Sequence, residues 1–316
     1  MRHLFLLIIL LTVQNWGHTQ VIQQHIEPKE GLLQLAPNIS VPYENAGYTV
    51  VLPDDKTAKG LIVFFNSDRD TINKIFHHAI PHGIAVAYVT TGNRFEFFFE
   101  EDRMQQIENY LHQIITQYNI PKQNLLFCGM SLAGTRALKQ AIFAKQDKAR
   151  YQLPPRAIAA CDSPIDFIRF WQALERAKQL NHSPIAVNEA TWVTAYMEKN
   201  LGGTPKDQTA KYLAFSPFSF SNLQVGNEDN LKDIAVRAYT EPDVQWWMKN
   251  RGKSYYGMNA IDAAAMINAL QLLGNKEAEL VLTDDSGYRP DGTRHPHSWS
   301  IVDEKELVEW FVQLLE

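Results

Sequence analysis

The chain has 316 residues, 45% of them hydrophobic and 21% charged, and a formal net charge of −5 at pH 7. These proportions belong to an ordinary globular protein with a sizeable core and exclude a disordered or collagen-like chain. The charge is mild and no lysine-rich or arginine-rich block occurs, which argues against a nucleic-acid partner or a polybasic membrane contact and favours a small or neutral substrate.

Arg2 and His3, the apolar run from Leu4 to Leu11 and the small residues Gly17 and Thr19 read as a secretory signal peptide over residues 1–19, removed before Gln20. The run is far shorter than the roughly 20 residues that cross a bilayer, so no stable membrane anchor is expected and the protein should be secreted or periplasmic. No cysteine near the cleavage point offers a site for lipid attachment. The alternative is a buried N-terminal helix.

The remainder, residues 20–316, reads as one α/β domain with an insertion. The stretch from Val21 to Lys59 is rich in turn residues, with one strand expected at Tyr48–Leu52. Gly60–Phe65 and Ile84–Val89 are unbroken apolar runs of the kind found in parallel strands covered on both faces. A helix follows at Glu101–Tyr118, where Met104, Ile107, Leu111, Ile114 and Ile115 recur at helical spacing. Strand at Asn124–Cys128, helix at Ala133–Lys145 and strand at Ala157–Cys161 continue the alternation, which predicts a doubly wound, mostly parallel sheet. Over residues 162–233 the alternation gives way to a helical, aromatic-rich segment, read as a cap inserted between two strands. It resumes with a strand at Ile234–Tyr239, a helix at Ala260–Leu273, a strand at Glu279–Thr283 and a closing helix at Asp303–Leu315. Cys128 and Cys161, the only cysteines, sit at the ends of apolar runs and read as buried free thiols, with a bridge as the alternative.

The segment Leu125-Leu126-Phe127-Cys128-Gly129-Met130-Ser131-Leu132-Ala133-Gly134 joins a strand directly to a helix. A turn tight enough to present a serine hydroxyl at the sheet edge needs small flanking residues, and Gly129 and Ala133 supply them. The usual G-x-S-x-G pattern ends here in Ala, which keeps the side chain small. Ser131 is therefore the candidate nucleophile, against the alternative of a serine on an ordinary tight turn. A serine needs a base to take its proton and a carboxylate to orient that base. Of the ten histidines, His295 and His297 lie in the loop between the last strand and the last helix. His297 is preferred because Pro296 restricts the backbone of His295. The acid is sought in the loop after Ile234–Tyr239, where Asp243 has cleared the strand and is preferred over Glu241. Asp162, just after Cys161, ranks third. The oxyanion donors expected are the backbone N–H groups of Leu132 and, after Phe65, of Ser67, in a loop Asn66-Ser67-Asp68-Arg69-Asp70 that lacks the glycine-rich pattern of many lipases.

With these residues in hand, the chain resembles the α/β-hydrolase superfamily. The resemblance rests on Gly129–Gly134, on Tyr239-Thr240-Glu241-Pro242-Asp243 and on His295-Pro296-His297-Ser298-Trp299. Leu201-Gly202-Gly203-Thr204-Pro205 with Ala214-Phe215-Ser216-Pro217 is similar to the cap-to-core passage of secreted bacterial esterases and peptidases. The order Ser131, Asp243, His297 matches that of these folds. The resemblance implies an α/β-hydrolase fold with a helical cap and a serine hydrolase cleaving carboxylic esters through an acyl-serine. A peptidase of the same fold acting on short peptides, and a non-catalytic binding protein, are the alternatives. Phe95, Phe97, Phe98, Phe99, Trp246, Trp247 and Trp299 flank the expected site and are read first as packing between cap and core. Asn38-Ile39-Ser40 and Asn181-His182-Ser183 match a glycosylation pattern that is common by chance. No metal-ligand spacing and no phosphate-cradling glycine loop occurs, so no metal and no cofactor is expected.

Overall fold

The computed structural model describes residues 20–54, 56–66 and 74–316. The expected signal peptide and the expected oxyanion donor Ser67 lie outside these residues. Eight strands form the main sheet in the order β1-β4-β6-β5-β7-β8-β9-β10. They are β1 (Gln20–Glu27), β4 (Ala46–Pro53), β5 (Gly60–Phe64), β6 (Ile84–Thr90), β7 (Leu125–Met130), β8 (Ala157–Cys161), β9 (Ala235–Thr240) and β10 (Ala278–Leu282). From β6 onward every neighbouring pair is parallel, whereas β1–β4 and β4–β6 are antiparallel. A separate two-stranded ribbon pairs β2 (Leu32–Ala36) with β3 (Ile39–Pro42).

The unbroken apolar runs sort their side chains by strand alternation onto two faces. Leu61, Val63, Leu125, Phe127, Ile158 and Val236 enter one core with α2 (Glu101–Gln117), α3 (Leu132–Ala144) and α8 (Asn259–Leu272). Ile62, Phe64, Leu126, Cys128, Ala159 and Ala235 enter the other with α1 (Phe76–Ala79) and α9 (Glu304–Gln313). Both faces are buried, so no polar alternation was required of these strands. Cys128 and Cys161 are buried free thiols on adjacent strands, and burial pushes both well above the ordinary thiol range.

Between β8 and β9 come α4 (Phe167–Leu180), α5 (Pro184–Leu201) and α6 (Thr209–Phe215), with no strand. Phe167, Leu174, Val193, Met197, Tyr212 and Phe215 close a third apolar cluster there, joined by Phe97 from the loop after β6. Asp166 caps α4 by accepting from Ile168 and Arg169 N–H, and its second oxygen accepts from Ser219 Oγ (2.9 Å) and Phe220 N (2.8 Å). One buried carboxylate thus pins both ends of this helical layer.

Several elements depart from the sequence reading, among them β1, β2 and β3, which lie in a stretch expected to hold only the strand at Tyr48–Leu52. β1 pairs with β4 along its whole length, yet its pattern is inverted: Ile22 and Ile26 face solvent, while His25 stacks on Tyr48 and Glu27 accepts from Tyr110 Oη at 2.6 Å. The segment read as a loop beyond Asp243 contains α7 (Val244–Arg251). Among the described residues no helix is long and apolar enough to cross a membrane.

Candidate active site

Ser131 sits between β7 and α3 with φ 55° and ψ −126°, a conformation that costs a non-glycine residue on the order of 1–3 kcal/mol. The turn is held from both sides. Ser131 N–H donates to Cys161 O on the adjacent strand at 2.8 Å, and Ser131 O accepts from Gly134 and Thr135 N–H at 3.0 and 3.1 Å. Thr135 Oγ1 donates to Pro164 O at 2.7 Å, tying α3 to the loop after β8. Steric demands explain the local sequence. A Cβ on Gly129 would stand 2.3 Å from the Ala133 carbonyl carbon, and one on Gly134 would stand 2.0 Å from Ser163 Oγ. Neither glycine can be replaced without moving the turn, whereas Ala133 fits. Leu132 occupies the first position of α3, where a helix offers its N–H no internal acceptor, and the positive end of the helix dipole lies at the same place.

Ser131, Leu132 and His297 line one cavity of about 400 Å³. His297 Nδ1 donates to Asp162 Oδ2 at 2.5 Å, which leaves Nε2 as the nitrogen available to the cavity. Burial disfavours the imidazolium, but the charge and hydrogen bond of Asp162 outweigh it, and His297 titrates above the ordinary imidazole value. Asp162 is itself 7% exposed and held at both ends of its backbone: its N–H donates to Tyr239 O at 2.8 Å, and Asn259 Nδ2 donates to its carbonyl at 2.8 Å. His295 is buried, with its ring against Trp246 and Trp247. Its Nε2 lies 3.4 Å from Arg251 Nη2, which can only donate, so Nδ1 carries the proton given to His297 O at 3.0 Å. Burial, then the charges of Arg289, His297 and Arg251, push His295 down to about 4, so it is neutral near pH 7. It braces the backbone of His297.

The preferred acid of the sequence reading does not meet the histidine. Asp243 is the N-cap of α7, accepting from Trp246 N–H at 2.9 Å, and its other oxygen accepts from Arg294 at 2.9 Å. Glu241, the alternative, is 3% exposed and accepts from Thr283 Oγ1 (2.9 Å), Ser286 N (3.0 Å) and Gly287 N (3.1 Å), besides pairing with Arg294. The two carboxylates after β9 therefore anchor the loop that carries His297, and Asp162, ranked third, is the one that touches its ring. Sequence reasoning also passed over Arg136. This side chain is 4% exposed on α3 and donates to Phe65 O (2.9 Å), Asn93 O (2.8 Å) and Glu96 O (2.6 Å), fixing the loops after β5 and β6 to α3. A lone arginine inside the apolar stretch Leu132–Ala144 was the available signal. No group of side chains suited to hold a metal ion occurs among the described residues.

No protein-family model matches the chain, and no curated protein matches it. Solved structures do. A Pyrobaculum calidifontis esterase superposes with a TM-score of 0.53 at 12% identity, over 93% of this chain and 85% of that one. Carboxyl esterase 2 of the mycorrhizal fungus Tuber melanosporum gives 0.55 at 12% identity, over 94% and 89%. The acylaminoacyl peptidase of Pyrococcus horikoshii gives 0.51 at 13% identity over 90% of this chain, which spans only 41% of that larger protein. At this level of identity the likeness is one of fold.

Proposed function

This chain has the α/β-hydrolase fold, and we propose that it is a serine hydrolase that cleaves carboxylic esters through an acyl-Ser131 intermediate. The observation that carries this reading is the strained Ser131 at the start of α3, opening on the same cavity as a histidine whose far nitrogen is bonded to a buried carboxylate. In this mechanism Ser131 Oγ attacks the ester carbonyl carbon while His297 Nε2 takes its proton. Asp162 steadies the imidazolium and keeps the tautomer. The oxyanion accepts from Leu132 N–H, with Ser67 N–H proposed as the second donor. Collapse of the tetrahedral species expels the alcohol, which leaves with the proton from His297. Water then attacks the acyl carbonyl carbon as His297 Nε2 takes its proton, and the second tetrahedral species breaks its bond to Ser131 Oγ, which regains the proton from His297 as the carboxylic acid departs.

A fluorophosphonate probe should label Ser131 and no other residue, and small aryl esters should be turned over by the wild type and not by Ser131→Ala. A folded protein that takes no label and turns over no ester would instead be a binding protein on this fold. A peptidase is the second reading, supported by the likeness to the acylaminoacyl peptidase. Aminoacyl amides offered beside acetyl esters separate the two. We also propose that residues 1–19 direct secretion, so the exported protein should begin at Gln20 on N-terminal sequencing.

A further inference from the structure

The cavity at Ser131 carries a charge opposite to that of the whole chain. Among the described residues, Arg94, Arg251, Lys253 and Arg289 line it against one carboxylate, that of Glu189, in a protein of net charge −5. Arg94 is paired with Glu44 at 3.5 Å. The other three have no ion-pair partner within salt-bridge distance among the described residues. Arg251 lies over the ring of Trp246 at 5.6 Å and Lys253 over that of Trp247 at 5.3 Å, contacts that steer the side chains without neutralising them. Asp291 and Arg289 are both exposed; the Asp291 carboxylate accepts from Thr293 N and Oγ1 and is acted on by the charge of Arg289 beyond ion-pair distance. Like charges gathered in a partly closed cavity repel one another and are relieved by a bound anion.

Their placement also gives the anion a side. Arg289 stands on the same loop as His295 and His297, and Lys253 is near enough to His297 for its charge to oppose the imidazolium, while the carboxylate of Glu189 acts on the same ring in the other direction. His297 must hand its proton to the departing alcohol, so groups beside it face the leaving part of the substrate. The aromatic lining comes from Phe95 against Trp192 and Phe97 against Phe170, with Arg94 and Glu189 on the same segments as the first pair.

Resting on the serine-hydrolase reading above, we infer that the preferred substrates are esters whose alcohol part bears an ionised acid group, held by Arg251, Lys253 and Arg289. The chain's mild net charge, which favours a small or neutral ligand, averages over the surface and does not register this local reversal.

Matched acetyl esters test it: 3-acetoxybenzoate and 3-acetoxyphenylphosphonate against methyl 3-acetoxybenzoate, each rate normalised to hydrolysis by hydroxide. At low ionic strength kcat/KM for at least one anionic ester should exceed that of the neutral ester by about tenfold or more, with the preferred acid group distinguishing carboxylate from phosphonate recognition. Raising the salt from 0.05 to 0.5 M should shrink the ratio in the wild type, because exposed parts of the cavity are screened. Lys253→Gln and Arg289→Gln should each lower the anionic rate more than the neutral one. An equal or lower rate for both anionic esters overturns the inference and leaves the hydrolase reading standing. Binding to Ser131→Ala, followed by the fluorescence of Trp192 and Trp247, decides the charge preference even if no ester is turned over. There 3-hydroxybenzoate should bind about tenfold more tightly than its methyl ester, and equal affinity overturns the inference.

Discussion

Replacing Asp162 by Asn, beside Asp243 by Asn, separates two assignments of the acid that differ by 81 residues in the chain yet both lie at the same edge of the sheet. Asp162 Oδ2 accepts from His297 Nδ1 at 2.5 Å, and its side chain is 9% exposed, so water screens little of the interaction. The amide keeps the shape but removes the charge that stabilises the imidazolium, and it can present N–H to the ring and favour the wrong tautomer. Losses at an equivalent position are about 10³–10⁴-fold in kcat, or about 4–5.5 kcal/mol of transition-state stabilisation. The same change removes what holds the His297 pKa up, so the midpoint of the remaining activity against pH should fall. Asp243→Asn keeps an effective N-cap for α7 and loses only a pair with Arg294 in which the two side chains are 28% and 20% exposed. Its cost should be about 1 kcal/mol or less in stability, with kcat within about tenfold of wild type. Steady-state hydrolysis of an aryl ester across pH, with circular dichroism to establish folding, reads both variants. A crippled Asp243→Asn beside an Asp162→Asn that keeps most of its activity and its pH midpoint would refute the assignment.

The wild-type kcat/KM should rise with pH as His297 loses its proton, with a midpoint above the ordinary imidazole value of about 6.5, while His295, held near 4, adds no second step in that range. The sign for stability is the opposite: a raised histidine pKa contributes fully below the unfolded value, and the contribution is lost as pH rises through the folded one. Gly134→Ala should prevent soluble expression or cost about 3 kcal/mol or more, because its Cβ would stand 2.0 Å from Ser163 Oγ and 2.7 Å from Gly129 O. Ala133→Gly, which restores the commoner pattern, should cost only about 1 kcal/mol in a thermal melt and keep activity. Glu241→Gln leaves Arg294 facing an amide and should cost about 3 kcal/mol, with kcat and KM both impaired as the loop carrying His297 loosens. A melting temperature unchanged by Glu241→Gln would remove that anchoring role.

Much of this molecule was legible from residue order alone because the relevant forces act over a few residues. Unbroken apolar runs become doubly covered strands, and Gly129 follows from its contacts with Ala133 and Gly134 within five residues of chain, whereas the closest demand on Gly134 comes from Ser163 on the next strand's loop. The α7 helix could have been read too, since Asp243 and Gly252 bracket Val244–Arg251 as its N-cap and C-cap. β1 resisted because its isoleucines are exposed while the half-exposed His25 and Glu27 make its contacts with Tyr48 and Tyr110, against the usual alternation. The choice of acid was of another kind. Asp162, Glu241 and Asp243 all follow parallel strands at the same sheet edge, and each is chemically able to orient a histidine. Which one does so depends on where the loop between β10 and α9 docks. That docking is set by Arg294 and by the Ser286 and Gly287 N–H groups closing on Glu241, and it brings together residues 135 apart in the chain. Sequence determines the strand that carries each carboxylate, and only tertiary packing selects the one that meets His297.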